Sequence, residues 1–171
     1  AAKRFIEFHP NDKDVPYAYY LVGLSYYDQV LAIGRDQELT KEALKVFALI
    51  ADEYPQSEYA ANSQMRFNFL RDHLASKEME VGRYYLKRSH YVPAINRFRG
   101  VIEEFSTTSQ VPEALHRLVE AYLSLGFTDE AQTAGAILGH NYKSTDWYDR
   151  TYQLLMSKGL KPKASGDSWL S

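Results

Sequence analysis

The 171-residue chain has 20 basic and 22 acidic side chains, for a formal net charge of −2. This balance argues against nucleic-acid binding, which needs a basic excess gathered on one face. The chain has no cysteine, so disulfides, thiolate catalysis and cysteine-ligated zinc are excluded. No apolar run approaches the ~20 residues of a membrane-spanning helix.

The first ten residues are typical of the end of an amphipathic helix that Pro10 stops. Phe5, Ile6 and Phe8 supply its apolar side, and neither an initiator methionine nor a signal-peptide pattern precedes them. We therefore expect residues 1–10 to be the end of a truncated upstream repeat, whose first part the sequence does not include.

A residue spacing that occurs twice in the sequence predicts the next pairs of helices. It is the tetratricopeptide pattern W-x2-L-G-x2-Y…A-x3-F…P, in which a small residue lets two antiparallel helices approach and aromatic side chains fill the space between them. The first copy is Val22, Gly23, Tyr26, Ala43, Phe47 and Pro55. The second is Val81, Gly82, Tyr85, Ala94 and Phe98, with Ser106 in place of the proline.

A third, weaker copy consists of Leu115, Leu118, Val119, Tyr122 and Ala131, with Gly135 replacing the phenylalanine and Lys143 the proline. Together the copies predict an all-α tetratricopeptide-repeat α-solenoid of antiparallel helix pairs over residues 1–158. We expect repeats at 16–55, 76–106 and 112–143, a C-terminal capping helix at 146–158 that begins after Thr145, and a flexible tail at 159–171 that contains Trp169.

The first copy has an eight-residue insertion between its two helices, around residues 32–40. We expect the first helix to stop at Gly34, a polar loop to follow over 35–40, and Thr40 to cap the second helix. Ser57 is the expected cap of the helix after that. From 58 to 88 there is no proline, which favours one unusually long helix, with two helices broken near Ser76 as the alternative.

No residue pattern indicates catalysis, a cofactor or a metal. The five histidines are not spaced as ligands, and the sequence contains no G-x-S-x-G, P-loop or G-x-G-x-x-G motif. Glu103 and Glu104 are adjacent carboxylates that could serve as a catalytic pair. However, Arg99 lies four residues before Glu103, so an ordinary ion pair on the helix surface accounts for Glu103. We therefore expect a protein that is not an enzyme and has no cofactor.

The concave groove of such an array is the expected binding surface, and in the first copy it is aromatic. Three tyrosines and a leucine share a helical face suited to peptide contact, because tyrosine offers a large contact area and a hydrogen bond. They are Tyr17, Tyr20, Leu24 and Tyr27. The alternative is that an upstream repeat or the long helix covers them.

The groove face of the later copies is charged. The second copy places Met79, Arg83 and Lys87 there, and the third places Glu113, His116 and Glu120. The charge therefore changes sign along the groove, which favours a polar, ordered partner. A solvated charged face is the alternative interpretation.

Arg97 differs from the other basic residues because no acid on its own helix can pair with it. Its neighbours one turn away are Pro93, Ala94, Gly100 and Val101. We expect its guanidinium to be free to bind a carboxylate of another chain, with a solvated arginine as the alternative.

Three segments are more specific than the repeat spacing. They are AAKRFIEFHP at 1–10, EYPQSEYA at 53–60 and LASKEMEVGRYYLKRSHYVPAINRF at 74–98. Together they resemble the BamD family, lipoproteins of the outer-membrane β-barrel assembly machinery of Gram-negative bacteria. The resemblance covers essentially the whole chain.

The resemblance implies a non-enzymatic scaffold at the periplasmic face of the outer membrane. In that family the C-terminal repeats dock on the periplasmic domains of the barrel protein BamA and hold smaller lipoproteins, and the N-terminal repeats meet unfolded barrel segments. Membrane attachment there is by an N-terminal lipid anchor, which this sequence lacks. The resemblance places Arg97 in the docking half.

The alternative is another tetratricopeptide adaptor, either one of the cell envelope or one that binds chaperones. Chaperone-binding adaptors clamp a C-terminal carboxylate with basic and amide side chains along the groove. Glu113 and Glu120 would repel that carboxylate, so the sequence disfavours this version of the alternative.

Overall fold

The structure is a computed structural model that describes residues 1–33 and 37–163. Within those ranges the regular structure is entirely α-helical, which confirms the predicted all-α class. The helices are α1 (Ala2–Phe8), α2 (Val15–Ile33), α3 (Gln37–Glu53), α4 (Ala60–Lys87), α5 (Tyr91–Glu104), α6 (Val111–Leu125), α7 (Thr128–Asn141) and α8 (Asp146–Ser157). Among the described helices, none has the length and hydropathy that crossing a bilayer requires.

The chain forms two compact units, Ala1–Leu74 and Ala75–Ser171, and the division falls inside α4. Each unit has its own apolar core. In the first, Phe47, Ile50 and Leu70 are fully buried. In the second, the fully buried side chains include Met79, Phe98, Leu115, Leu118, Val119, Leu138 and Leu155.

A glycine that faces a phenylalanine ring sets the packing of the first two helix pairs. A Cβ added at Gly23 of α2 would lie 2.7 Å from Phe47 Cε1 of α3. A Cβ at Gly82 of α4 would overlap the Phe98 ring of α5, with Cδ1 only 2.8 Å away. Both rings are 0% exposed. The close approach that the repeat spacing predicts is therefore confirmed in both copies.

The third pair, α6 and α7, is completed by α8. Gly135 of α7 occupies the phenylalanine position, and a Cβ there would meet Leu155 Cδ1 of α8 at 2.7 Å. One turn later, a Cβ at Gly139 would meet Tyr148 of α8 at 2.6 Å. Because Leu155 and Thr151 are 0% exposed, α8 fills the space that the missing ring leaves beside α7.

The long helix is confirmed, since α4 runs unbroken over 28 residues. Two predicted caps are wrong. Helix α3 begins at Gln37, so Thr40 lies inside it and is only 3% exposed. Ser57 lies before a turn that delays α4 to Ala60, and no partner for its Oγ is found in the described part of the chain. The predicted stop at Gly34 falls in 34–36, outside the described residues.

Thr145 is the residue before α8, as predicted, but its side chain does not cap the helix. Its Oγ1 donates instead to the carbonyl of Tyr142 at 2.8 Å. The hydroxyl therefore stabilises the turn between α7 and α8 rather than the first N–H groups of α8.

The start of the predicted tail is held in place, which corrects the expectation that 159–171 is flexible throughout. The backbone N–H of Lys163 donates to the carbonyl of Gln132 in α7 at 3.1 Å. The Gln132 side chain in turn donates to the carbonyl of Lys161 at 2.7 Å. Pro162 lies beside Gly135, 3.8 Å from where a Cβ would be. Residues 164–171, including Trp169, lie outside the described ranges.

The two glycines Gly82 and Gly100 give opposite predictions for the same change. Gly82→Ala should destabilise the protein by about 1–3 kcal/mol, because the methyl group overlaps the buried Phe98 ring. Gly100→Ala in α5 should stabilise it by about 0.5–1 kcal/mol, because no atom lies within 4 Å of the added Cβ and alanine favours helix. Urea unfolding measures both. Equal effects of the two changes would contradict the close crossing at Gly82.

Candidate partner-binding surfaces

The predicted aromatic face of α2 is partly an internal contact. The Tyr20 ring centroid lies 5.1 Å from that of Tyr59, in the turn before α4. The Tyr27 ring lies 6.0 Å from Phe69 of α4, and the guanidinium of Arg66 lies over it at 4.6 Å. This matches the alternative in which the long helix covers the face.

Tyr17 is the member of this face that remains open, at 46% exposed, while Leu24 is half-buried. The Tyr17 ring rests against Tyr59 with the centroids 5.4 Å apart. Together with Pro16 and Glu58, these two tyrosines line a shallow groove of about 340 Å³. The usable aromatic surface is therefore one tyrosine at the edge of a groove, and not the four-residue face that the sequence predicts.

Two of the residues predicted for the charged groove are buried, and that part of the prediction is wrong. Met79 is 0% exposed and belongs to the core of the second unit. His116 is 6% exposed because α8 packs on α6. Helical spacing places both on one face of their helices, but it does not show which neighbouring helix covers that face.

Of the remaining predicted charged residues, Arg83, Glu113 and Glu120 form ion pairs on α4 and α6, whereas Lys87 is exposed and forms no ion pair with any described residue. Arg83 Nη1 of α4 donates to Glu113 Oε2 of α6 at 3.1 Å. Arg117 Nε donates to the other oxygen of Glu113 at 3.2 Å, and its Nη1 donates to Glu120 at 2.8 Å. The opposite charges that the sequence predicts along the groove therefore largely neutralise each other within the protein. We call Arg83, Glu113, Arg117 and Glu120 the ion cluster.

A groove of about 450 Å³ lies beside the ion cluster, and we call it the basic groove. Its lining comes from α4, α5 and α6: Arg83, Leu86, Lys87, Tyr91, Arg117, Glu120 and Ser124. The sequence analysis did not predict Leu86, Tyr91, Arg117 or Ser124 as site residues. For Arg117 a signal was present, since it lies four residues after Glu113 and three before Glu120, within reach of both on one helix.

Arg97 is paired, which corrects the expectation of a free guanidinium. Its Nη1 donates to Glu78 Oε2 of α4 at 2.9 Å, and this bond raises the pKa of Arg97. The spacing within one helix shows only the neighbours of Arg97 on α5, whereas its partner Glu78 lies on α4. Glu78 is one turn before Gly82 and Arg97 is next to Phe98, so the crossing that the repeat spacing predicts also brings this pair together.

His116 lies in a buried polar contact between α6 and α8. A 2.7 Å hydrogen bond joins its Nδ1 to Thr151 Oγ1, and its ring lies 5.4 Å from that of Trp147. Burial lowers the pKa of His116, and Arg117 and Arg150 lower it further, against the opposing charges of Glu120 and Glu113. His116 thus joins α6 to the capping helix instead of facing a partner.

Within 1–33 and 37–163, no three metal-ligating side chains of the histidine, cysteine, aspartate or glutamate type come together. The clustered polar groups that the structure does describe are ion pairs and hydrogen bonds. They connect helices and leave charged side chains at the edges of grooves.

Comparison with known proteins identifies similar chains. The family model described as outer membrane lipoprotein, YfiO, matches residues 1–137. The outer membrane protein assembly factor BamD of Caulobacter vibrioides is 44% identical over 161 residues, which are 94% of this chain and 53% of that protein. BamD of Rickettsia prowazekii is 42% identical over 151 residues, covering 88% of this chain and 60% of that protein.

A more distant relative, BamD of Neisseria meningitidis, is 32% identical over 163 residues, covering 90% of this chain and 61% of that protein. The chain therefore spans between about half and three fifths of the length of these curated relatives.

The lowered pKa of His116 predicts a loss of stability in mild acid. The unfolded chain, where the histidine pKa is near 6.5, binds a proton more readily than the folded one, so stability should fall as pH drops below about 6.5. His116→Asn should flatten this part of the profile of melting temperature against pH. His140→Asn, at an exposed position of α7, is the control and should keep the slope. An unchanged slope in His116→Asn would contradict the prediction.

Proposed function

The chain belongs to the BamD family of outer membrane protein assembly factors, and from this membership we propose that it acts as a non-enzymatic scaffold in assembling outer-membrane β-barrel proteins. The observation that supports this most directly is the 44% identity with an assembly factor over 94% of the chain. The place of action is the periplasmic face of the outer membrane, to which an N-terminal lipid anchor outside this sequence would attach the whole protein.

The proposed main partner is the periplasmic part of BamA, with Arg97 at the contact. The Arg97 side chain is 45% exposed, and its bond to Glu78 uses one of its two terminal nitrogens. One turn further along α5, Gly100 has no atom within 4 Å of where a Cβ would be, so the surface beside the guanidinium is open. A planar guanidinium on an open surface suits bidentate binding of a partner carboxylate.

Unfolded segments of outer-membrane proteins are a second proposed class of partner, and smaller lipoproteins of the assembly complex a third. For unfolded segments, Tyr17 supplies an exposed ring beside the groove that Pro16, Glu58 and Tyr59 also line. An aromatic ring at a groove edge contacts apolar side chains of an extended peptide without needing a fixed sequence. The alternative, another tetratricopeptide-repeat adaptor of the cell envelope or one that binds chaperones, is not favoured, since the curated relatives are outer membrane protein assembly factors.

Removing the Arg97 guanidinium should weaken binding to the periplasmic domains of BamA. Loss of one member of an interfacial charge pair costs about 2–5 kcal/mol, so Arg97→Gln should raise Kd at least about thirtyfold. Folding should change by no more than about 1 kcal/mol, since the pair with Glu78 is exposed. Isothermal titration calorimetry measures the first effect and thermal unfolding the second.

Arg99→Gln is the matched control for Arg97→Gln. It removes a guanidinium from the same helix that is paired with Glu103 at 3.2 Å. Its Kd should stay within about threefold of the parent value, which is the scale of a neutral surface substitution. If Arg99→Gln were the more damaging change, the docking face would have to be moved away from Arg97.

Tyr17→Ser should weaken the binding of an unfolded barrel segment about fivefold or more, as expected for the loss of an aromatic contact worth about 1 kcal/mol. A fluorescein-labelled peptide from the last strand of an outer-membrane barrel protein, followed by fluorescence anisotropy, provides the measurement. Tyr152→Ser is the control, because Tyr152 of α8 is also a partly exposed tyrosine, at 38%, in contact with one ring. Equal losses in both variants would rule out Tyr17 as a specific contact.

A further inference from the structure

The basic groove presents hydrogen-bond donors that the described part of the chain does not use. Arg83 donates to Glu113 through Nη1, so its Nη2 and Nε groups remain available as donors. Arg117 donates through Nε and Nη1, so its Nη2 group remains available. Lys87, exposed in the last turn of α4, forms no ion pair with any described residue. Three cations from two helices therefore line one groove with donors to spare.

One carboxylate, that of Glu120, lies among the three cations in the lining of this groove. Glu120 accepts from Arg117 through one carboxylate oxygen, and its other oxygen lies 3.7 Å from His116 Nε2. The Ser89 and Ser124 hydroxyls near the Tyr91 hydroxyl lower the pKa of Tyr91. Ser124 Oγ donates to the carbonyl of Glu120 at 2.8 Å. The groove therefore offers more charged donors than charged acceptors to an incoming molecule, so it favours an anionic ligand rich in acceptors.

The position of the arginines is fixed before any ligand arrives. Glu113 holds Arg83 and Arg117 together, and the Arg117 guanidinium also lies 5.5 Å from the Trp147 ring centroid. Arginines held in this way lose little side-chain entropy when they bind a carboxylate, so more of the interaction energy is available for affinity.

The shape and the apolar part of the groove indicate what kind of anion fits. Leu86 and the Tyr91 ring lie among the charged residues, so the surface suits a chain with alternating acidic and apolar side chains. The cations line a concave groove between helices rather than a flat face. A planar bilayer could not reach into such a groove, whereas an extended peptide could.

We propose that the basic groove binds an extended acidic peptide segment of a partner protein, with its carboxylates on Lys87, Arg83 and Arg117 and an apolar side chain on Leu86 and Tyr91. The proposal rests on the scaffold function proposed above and adds a second binding site to it, distinct in its residues from Arg97. It also names the chemistry of the segment recognised there.

The test uses two labelled eight-residue peptides and the full 171-residue chain. The first peptide contains two glutamates separated by a leucine, and the second has glutamines in their place. In fluorescence anisotropy at low salt, the glutamate peptide should bind at least about tenfold more tightly than the glutamine peptide. Its Kd should rise with added salt, because the attraction is between charges.

Lys87→Glu should weaken binding of the glutamate peptide at least about tenfold, since it puts a negative charge among the donors. Lys143→Glu makes the same charge change at an exposed loop position and should leave Kd within about twofold. Equal losses in both variants, or equal binding of both peptides, would overturn the proposal by reducing it to non-specific charge attraction. The proposal would also be overturned if the parent chain, but not Lys87→Glu, bound vesicles of anionic phosphatidylglycerol while neither peptide bound.

Binding of the parent chain to the periplasmic domains of BamA is measured alongside and separates the two proposals. If BamA binds and the glutamate peptide does not, the groove proposal fails while the scaffold function stands. If the peptide binds as predicted and BamA does not, the groove is an acidic-peptide site and the proposed partner is wrong.

Discussion

The contact between a glycine and a phenylalanine ring determines how the first two helix pairs are built. Gly23 with Phe47, and Gly82 with Phe98, bring the backbone of one helix onto the aromatic side chain of the next. Because each buried ring packs directly on the backbone of its glycine, the contact also sets which residues of the two helices lie opposite each other. The pair of Glu78 and Arg97 follows from that register, since each lies within a turn of its crossing residue.

The third helix pair shows what happens when the ring is absent. Gly135 replaces the phenylalanine in α7, and the space is taken by Leu155 from α8, while Thr151 of the same helix reaches back to His116 of α6. The capping helix therefore does more than shield apolar surface from water. It supplies the side chain that the third pair lacks, and it buries a histidine whose ionised form is then disfavoured.

The contacts that could be predicted from the sequence differ physically from those that could not. The crossings at Gly23 and Gly82 depend on residue types at fixed spacing, and α4 as one helix depends on the absence of proline, so both could be predicted. The partner of Arg97 and the burial of His116 depend on which other helix lies nearby, which a single-helix pattern does not contain. The Tyr20 and Tyr27 contacts belong to the same class, and so does the attachment of Lys161 and Lys163 to Gln132.

That attachment sets a practical limit on how the protein can be cut or fused. The segment from Gly159 to Lys163 turns back after α8, and Pro162 then lies against the glycine side of α7. A tag joined directly after Ser157 would displace these residues from Gln132 and remove Pro162 from its place beside Gly135, whereas a linker that starts beyond Lys163 leaves both contacts in place. Limited proteolysis should reflect the same boundary, with the peptide bonds between Leu160 and Lys163 protected by their hydrogen bonds to α7.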